Sequence, residues 1–361
     1  MLEKQAEYIN RHMSFWNLEK VGRPLIGFTI GAGLDSWSYW QYNNAAQALL
    51  NREIVSPEDI NPDDFIDDQL KYLELSNQVD DDIIRSALPL ASVPWMEAIL
   101  GCPVYSTEAH MTCRKILDDI DLSKINECKV ENEWVKKYFE FIKVYELAFD
   151  RKYPVAQSII RGPSDLACAL LGAEDAAIAL LTEPENMHQL FNFITEQVSN
   201  FLKMNIERLP EFYGGYVIGQ YEIWAPEPAI RIQEDFSNLF SPELYDEFLK
   251  HCDQKLASIT NYTLIHLHSS SLFLIEKFLD INSIRAFQVT KDPGIAQLSE
   301  MMPSLKKIQD TGKPLIVKGR FDKNDIELIK SNLSLYGLCI QPVVKNFNEA
   351  NQLITELKSW R

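Results

Sequence analysis

The chain has 361 residues, of which 46% are hydrophobic, and its formal net charge is −17. This length allows a large buried core, and the negative charge argues against nucleic acid and anionic membranes as partners, because both bind Lys- and Arg-rich surfaces. No apolar run reaches the length of a transmembrane helix, the N-terminus is polar, and the six cysteines form no CxxC pair. We therefore expect a cytoplasmic protein with free thiols.

The first part of the chain predicts a helical extension over residues 1–22 and two strands, at residues 24–30 and 83–90, separated by acidic helical segments. An aromatic run follows the first strand and consists of Trp37, Tyr39, Trp40 and Tyr42. Aromatic side chains among polar residues suit a lid over a flat or apolar substrate. We therefore predict that Trp37, Tyr39 and Trp40 contact the substrate.

From about residue 150, short apolar runs alternate with amphipathic helices, which is typical of a parallel sheet with helices outside it. The predicted strands are residues 154–160, 215–221, 229–235, 262–267, 283–289, 315–318 and 338–343. The predicted helices are residues 164–171, 185–209, 242–258, 272–279, 295–310, 325–331 and 348–359. We interpret residues 215–221 and 229–235 as one interrupted unit. The prediction is an α/β fold, a single (β/α)8 TIM barrel over residues 1–361 with an N-terminal helical extension.

Residues 262–271 read YTLIHLHSSS and place two histidines one residue apart at the end of an apolar strand. Side chains alternate along a strand, so His266 and His268 share a face, with Tyr262 and Leu264 beneath them. In a barrel this strand end lies at the catalytic rim. Neutral imidazoles can bind a metal ion, and protonated ones can hold a carboxylate. A hydrogen-bonded structural pair is the third alternative.

Further polar side chains line or end the predicted strands, because outward positions meet the helices and are apolar. These inward or strand-ending residues are Arg161, Arg231, Gln233, Asp235, Gln288, Lys318, Cys339 and Gln341. We predict that Asp235 acts in catalysis with His266 and His268, although it could instead cap a helix. The predicted substrate-binding residues are Arg161, Gln233, Gln288 and Gln341. Arg161 could equally form a surface salt bridge with Asp165.

Four segments resemble the uroporphyrinogen decarboxylase superfamily in their order and spacing. They are RGPSDLACALLGAEDAAIALLTEPENMHQL at 161–190, QEDFSNLFSPELYDEF at 233–248, HLHSSSLFLIEKF at 266–278 and KGRFD at 318–322. The resemblance covers the chain well from about residue 150 and loosely before it. It implies a (β/α)8 barrel, in agreement with the strand–helix alternation. The superfamily includes zinc-dependent cobalamin or coenzyme M methyltransferases, so the resemblance also implies a divalent metal ion, zinc foremost, a corrinoid on a partner protein, and a homodimer.

The chain departs from two branches of that superfamily. True uroporphyrinogen decarboxylases carry an Arg-rich segment after the first strand, whereas residues 24–43 contain no arginine. Charge-assisted contacts to a polycarboxylate are hard to replace, so we predict a different reaction. The methyltransferase branch has His-x-Cys where this chain has His266-Leu267-His268, and a further cysteine near the last strand, for which Cys339 is the candidate. The expected metal ligands are therefore His266, His268, Asp235 and Cys339.

The leading functional prediction is an enzyme that performs metal-assisted methyl transfer or demethylation on a small molecule, with the metal ion as Lewis acid and template. The first alternative is a metal-free, decarboxylase-like enzyme for a tetrapyrrole-like carboxylated substrate, in which His266 and Arg161 bind a carboxylate and Asp235 stabilises a cationic intermediate. The second alternative is a hydrolase, since metal amidohydrolases also carry a His-x-His motif, although theirs lies on the first strand of the barrel. The third alternative is a non-catalytic protein that binds a corrinoid or another ligand.

Overall fold

A computed structural model describes residues 2–20, 22–31, 44–108, 110–120 and 132–360. The aromatic residues predicted to contact the substrate, Trp37, Tyr39 and Trp40, lie outside the described residues, as does Tyr42. Within the described ranges, no helix is both long and apolar enough to cross a membrane. The fold is mixed α/β, with a mostly parallel sheet and many helices.

Helices and strands alternate along most of the chain. The strands are β1 (Leu25–Ile26), β2 (Thr29–Ile30), β3 (Val104–Ser106), β4 (Met111–Cys113), β5 (Tyr216–Ile218), β6 (Ile223–Ala225), β7 (Ala229–Gln233), β8 (Tyr262–His268), β9 (Ile284–Lys291), β10 (Leu315–Gly319) and β11 (Leu338–Val344). The α-helices are α1 (Leu2–Trp16), α2 (Asn44–Gln47), α3 (Ile66–Ser76), α4 (Trp95–Ile99), α5 (Glu133–Phe149), α6 (Pro163–Leu171), α7 (Ala173–Thr182), α8 (Pro184–Arg208), α9 (Pro242–Phe248), α10 (Lys250–Ala257), α11 (Ile275–Leu279), α12 (Leu298–Asp310), α13 (Lys323–Asn332) and α14 (Phe347–Lys358). Short 3-10 helices lie at Pro57–Asp59, Pro62–Phe65, Asp235–Leu239 and Ser269–Leu274.

Seven strands form one parallel sheet in the order β1, β11, β10, β9, β8, β7, and β2 pairs with β11 beyond β1. The register places Gln233 of β7 beside His266 of β8, and His266 beside Gln288 of β9. Because the strands are parallel, their carboxyl ends meet at one edge. Polar residues that end different strands therefore become neighbours.

Two predicted strands, residues 83–90 and 154–160, form no regular ladder among the described residues. They meet in one parallel bridge between Ala87 and Val155. The Ala87 N–H donates to the Pro154 carbonyl at 2.9 Å, and the Ala156 N–H donates to the Ala87 carbonyl at 2.8 Å. Both segments therefore run alongside each other in the predicted direction, with fewer hydrogen bonds than a full strand pair.

The interpretation of residues 215–221 as half of an interrupted barrel strand is wrong. Strand β5 turns back at residues 219–222 and pairs antiparallel with β6. Glu222 ends this turn in a left-handed backbone conformation, with φ of 57°. Since a non-glycine residue seldom adopts this conformation, the sequence carried no clear signal for the reversal.

The sheet has an apolar cluster on each side. Outward residues of the strands, among them Ile230, Ile232, Ile265, Val289 and Val317, pack with the helices. A separate inner cluster contains Leu25, Ala229, Leu264, Ala286, Ile316 and Cys339. Ile230 and Ile232 of β7 therefore lie on the side of the sheet that packs with the helices. The inner cluster also includes Phe15 and Trp16 of α1 and four residues of the β5–β6 hairpin, Ile218, Tyr221, Ile223 and Ala225.

Helix α1 and the β5–β6 hairpin pack together against the inner face of the sheet. The Trp16 indole N–H donates to the Trp224 carbonyl at 2.8 Å. At the hairpin tip, the Gln341 amide of β11 donates to the Tyr221 carbonyl at 2.7 Å. The ring centroid of Tyr221 lies 6.0 Å from that of His266. The hairpin tip therefore forms a floor beneath the histidine pair.

His12 joins α1 to this hairpin and should make folding stability depend on pH. Its Nε2–H donates to the Asp82 carbonyl, and its Nδ1 accepts from the Trp224 N–H, both at 2.9 Å. Nδ1 can accept only while the ring is neutral. Burial accordingly lowers the pKa of His12 to about 4 from an ordinary value of 6.5.

The unfolded chain gains a proton on His12 below about pH 6.5 that the folded chain takes up only near about pH 4. This group therefore removes stability as the pH falls through that window. Between about pH 7 and about pH 5 the loss should be about 2 kcal/mol. His12→Gln, which keeps one donor and one acceptor, should lack this component in urea unfolding at the two pH values. Equal pH dependence in both chains would contradict the assignment.

Candidate metal and active site

Asp235, His266 and His268 come together where β7 and β8 end. The two histidine Nε2 atoms are 3.3 Å apart. Asp235 Oδ1 lies 3.8 Å from Nε2 of His266 and 3.7 Å from Nε2 of His268. In the part of the chain that the structure describes, these three side chains are the one group of His, Cys, Asp and Glu that could hold a metal ion.

The Nδ1 nitrogen of each imidazole forms a hydrogen bond with a side-chain acceptor. The Nδ1–H of His266 donates to the Gln288 side-chain carbonyl, and the Nδ1–H of His268 donates to Asp292 Oδ1 at 2.7 Å. With Nδ1 as the donor, the Nε2 of a neutral ring carries a free lone pair. The two Nε2 nitrogens, within hydrogen-bond distance of each other, converge with Asp235 Oδ1, a buried atom that has no hydrogen-bond partner among the described residues.

Asp165 and Gln233 orient the Asp235 carboxylate. The Gln233 amide donates to Asp235 Oδ2 at 2.8 Å and to Asp165 Oδ2 at 3.1 Å. Asp165 lies in the first turn of α6 and also accepts from the Phe236 N–H at 3.0 Å. Burial and the neighbouring charge of Asp235 raise the pKa of Asp165 to about 7. Because Oδ2 of Asp235 is held in this way, Oδ1 is the oxygen that faces the histidines.

The three residues of the cluster differ sharply in protonation. Burial, followed by the charge of Arg231, lowers the pKa of His266 to about 3, so this ring is neutral. The neighbouring carboxylates of Asp235 and Asp292 raise the pKa of His268 to about 10. Burial raises the pKa of Asp235, but His268 and His266 outweigh that effect and lower it to about 2. The cluster thus combines the neutral imidazole of His266, the Asp235 carboxylate and the protonated imidazole of His268, which is flanked by Asp235 and Asp292.

The donor set fits a divalent metal ion. At metal–ligand distances of roughly 2.0–2.1 Å, two tetrahedral ligands stand about 3.3–3.4 Å apart, which matches the separation of the Nε2 atoms. The distances to Asp235 Oδ1 are a few tenths of an ångström longer. Hydrogen bonds from the non-ligating nitrogens to a carboxamide and a carboxylate are the usual outer support of metal-binding histidines. A metal ion here would replace the proton on His268.

Arg161 forms an ion pair with Glu97, and the salt bridge with Asp165 that was the alternative to substrate binding is absent from the described residues. Its guanidinium Nη1 lies 2.8 Å from Glu97 Oε1, and Glu97 is buried in α4. The charge of Glu97 raises the pKa of Arg161, and Asp165 and Asp235 add to the effect. Arg161 is half-buried near the metal-ligand cluster, with its charge balanced by Glu97.

The three predicted substrate-binding glutamines face the inner side of the sheet and have protein partners. Gln233 donates to two carboxylates, Gln288 holds His266, and Gln341 holds the backbone of Tyr221. Their contact with a substrate stays a prediction. Cys339, a predicted metal ligand, packs in the inner apolar cluster beside Leu25 and Ile316, and the structure does not bring it into the metal-ligand cluster.

Sequence reasoning missed the supporting carboxylates Asp165 and Asp292. Asp292 directly follows β9 and also accepts from the Ser269 N–H at 2.9 Å and the Ser269 hydroxyl at 2.7 Å. Its position after a predicted strand was an available signal, because that strand end shares a rim with His268. Asp165 follows a Gly-Pro pair at a helix start, where an acidic residue usually serves the helix itself.

A methyltransferase from Methanosarcina mazei has a similar fold. The superposition has a TM-score of 0.65 and covers 97% of this chain and 98% of that chain, at 15% sequence identity. At this identity the similarity establishes the fold alone. No protein-family model and no curated protein matches the chain.

Proposed function

We propose that this chain is an enzyme that binds a divalent metal ion, zinc foremost, through Asp235, His266 and His268, and performs methyl transfer or demethylation on a small molecule. One observation carries the proposal. Two imidazole nitrogens with fixed Nδ1 partners converge on a buried carboxylate oxygen that accepts no hydrogen bond from any described residue. The fold similarity to a methyltransferase favours methyl transfer among the reactions such a site could support.

We also propose that the sheet closes into an eight-stranded barrel of the uroporphyrinogen decarboxylase superfamily. Residues 83–90 and 154–160 would supply the two remaining strands between β1 and β7. The Asp82 N–H donates to the Ile26 carbonyl of β1 at 2.8 Å, and the Ala87–Val155 bridge joins the two segments. The Gln157 amide donates to the Arg231 carbonyl of β7 at 3.3 Å. These contacts support a continuous ring, as does the separation of inner and outer apolar clusters.

The chain's residues have distinct roles in this proposal. A bound divalent ion supplies Lewis acidity and a template for the substrate. Gln288 and Asp292 fix the orientation of the two imidazoles, and Gln233 directs Asp235 toward them. Three protein ligands leave a position for a substrate atom. Imidazole and carboxylate ligands are harder donors than thiolates, which favours a substrate that presents oxygen or nitrogen to the site.

The metal-free decarboxylase alternative has less support. It needs Arg161 and a histidine to hold a substrate carboxylate. Arg161 is already paired with the buried Glu97. His266 is neutral, and the positive charge of His268 is compensated by Asp235 and Asp292. An incoming carboxylate would therefore find its predicted cations neutral or compensated.

Metal analysis of the purified full-length chain tests the proposal. We expect about one zinc or similar divalent ion per chain after loading, as in sites with three protein ligands. The loaded protein is then incubated with methylated oxygen, nitrogen and sulfur compounds, with and without a corrinoid, and demethylated products are measured. A chain that binds no divalent ion at micromolar concentrations contradicts the proposal. Cleavage by water with no methyl acceptor would instead identify a hydrolase.

A corrinoid-carrying partner protein and a homodimer belong to the same proposal. Both come from the resemblance in the segments at 161–190, 233–248, 266–278 and 318–322. A corrinoid-dependent product in the assay above would support the partner. Light scattering of the pure chain would give its mass relative to the 41.6 kDa of one chain.

Asp292→Asn should weaken metal binding without removing a ligand. The substitution keeps an oxygen near His268 but removes the negative charge that makes its Nε2 a strong donor. Loss of such an outer partner lowers metal affinity by roughly 10–100-fold. Competition with a chromogenic chelator measures the change. Asp310→Asn, an equal charge change at an exposed position, should bind metal like the unmodified chain. Equal affinity in the two variants would contradict the role of Asp292.

A further inference from the structure

A second, polar cleft of about 920 Å³ opens at the amino ends of β8, β9 and β10. Tyr262 at the start of β8 lines it, whereas His268 ends the same strand. Six residues of extended strand span roughly 20 Å, so the cleft lies at the opposite end of the sheet from the metal-ligand cluster. The end of α1 and the turns before β9 and β10 supply most of the remaining lining.

Two neighbouring cations, Arg285 and Lys313, line this cleft without a carboxylate partner among the described residues. Arg285 Nη2 donates to the Trp16 carbonyl at 3.4 Å. Lys313 Nζ donates to the carbonyls of Asn282 at 3.4 Å and of Ile284. Burial, followed by the charge of Arg285, lowers the pKa of Lys313. The two charges are therefore close enough to repel each other, and neither forms an ion pair with a described carboxylate.

Two buried polar groups of the cleft residues have no described partner, and one of them belongs to Arg285. Arg285 Nε and the Ser283 hydroxyl are buried atoms without a described hydrogen-bond partner. The Arg285 guanidinium lies 4.7 Å from the ring centroid of Tyr262, a cation–π contact that holds it over the cleft wall. Glu227 is the only acidic residue among the described lining residues, and its carboxylate already accepts from the Asn261 amide at 2.9 Å.

We propose that this cleft binds a small, multiply charged anion whose phosphate or carboxylate oxygens lie between Arg285 and Lys313. A guanidinium matches either group through paired hydrogen bonds, and an ammonium adds a point charge. The chain as a whole carries 52 acidic and 35 basic side chains. Two adjacent cations without a counter-ion are therefore a local exception, and a bound anion would relieve their repulsion. The proposal does not depend on the metal site.

Isothermal titration of the full-length chain with inorganic pyrophosphate and with citrate tests this proposal, with glycerol as the neutral probe. At least one anion should bind once per chain, and glycerol should not bind. Lys313→Gln should weaken binding by about tenfold or more, since it removes one of the two charges. Lys203→Gln, the same change at an exposed position of α8, should leave affinity unchanged. Binding should also weaken as salt is added.

The comparison of the two anions separates a phosphate ligand from a carboxylate ligand. Circular dichroism establishes that each variant is folded, and Arg285→Gln provides a second variant that should lose affinity. Absence of binding of both anions to the unmodified chain overturns the proposal. So does equal affinity in Lys313→Gln and Lys203→Gln. Metal content is measured in the same samples, so a failed metal site and a failed anion site give separate results.

Discussion

His266→Ala is expected to lower the affinity for zinc by roughly a thousandfold, or about 4 kcal/mol. The substitution removes one of the two proposed nitrogen ligands. Only Asp235 and His268 of the three-residue group then remain to bind the metal ion. Asp235 and Asp292 would still hold His268 in its protonated form. A metal ion must displace that proton, and with one ligand fewer its binding energy would be smaller. Methyl transfer should fall to background. Chelator competition and product analysis on the same preparation measure both effects.

His251→Ala is the matched control for this experiment. His251 is exposed on α10 and contacts Asn192, away from the metal-ligand cluster. It should bind zinc with unchanged affinity. Thermal unfolding of both variants guards against a loss that comes from misfolding. If folded His266→Ala binds zinc as tightly as His251→Ala, the assignment of the ligands is wrong.

Gly162→Ala is expected to destabilise the chain by about 3 kcal/mol or more, although its backbone conformation suits any residue. A Cβ atom at this position would lie well inside van der Waals contact with the Gln233 carbonyl oxygen and the Glu234 carboxylate. Neither can retreat easily, because Gln233 is in β7 and Glu234 accepts from the Ser164 N–H at 2.8 Å. The start of α6 must therefore move away from β7.

The same displacement should weaken the metal site, since Asp165 in α6 holds Gln233, which orients Asp235. Urea unfolding measures the stability change, and zinc affinity measures the effect on the site. Gly22→Ala serves as the control, because a Cβ atom there meets nothing within 4 Å. It should change stability by less than about 1 kcal/mol. A fully stable Gly162→Ala chain would show that α6 and β7 can separate without cost.

The sequence could predict that Asp235, His266 and His268 lie close together, because short-range geometry determines their placement. His266 and His268 share a face in any strand, and a parallel arrangement places that strand's end beside Asp235. Most helices from residue 163 onward were also predicted within a few residues, but α7 was missed, and the predicted helix at 242–258 is divided at Leu249 into α9 and α10. These features depend on periodicity, which a single sequence shows directly.

The remaining features depend on tertiary register, which periodicity does not encode. The alignment of β9 with β8 determines which carboxylate accepts the hydrogen bond from His268 Nδ1. In the observed register, that carboxylate is Asp292. Arg161 forms an ion pair with Glu97 because α4 packs nearby, and this contact joins parts of the chain that are distant in sequence. The prediction that Cys339 binds metal rested on the resemblance, and the inner cluster places it among apolar side chains. The aromatic run at residues 37–42 stays a prediction.

The hairpin floor has a consequence for the order in which the molecule can assemble. Trp16 bonds to Trp224, more than two hundred positions later, and β1 pairs with β11 near the other terminus. Contacts between such distant segments pay a large loop-closure cost before they stabilise anything, so they form late in folding. Helix α1 can therefore pack against the hairpin only after residue 224 has been synthesised. A chain that stops before β11 would expose the histidine pair without its floor anchor, Gln341.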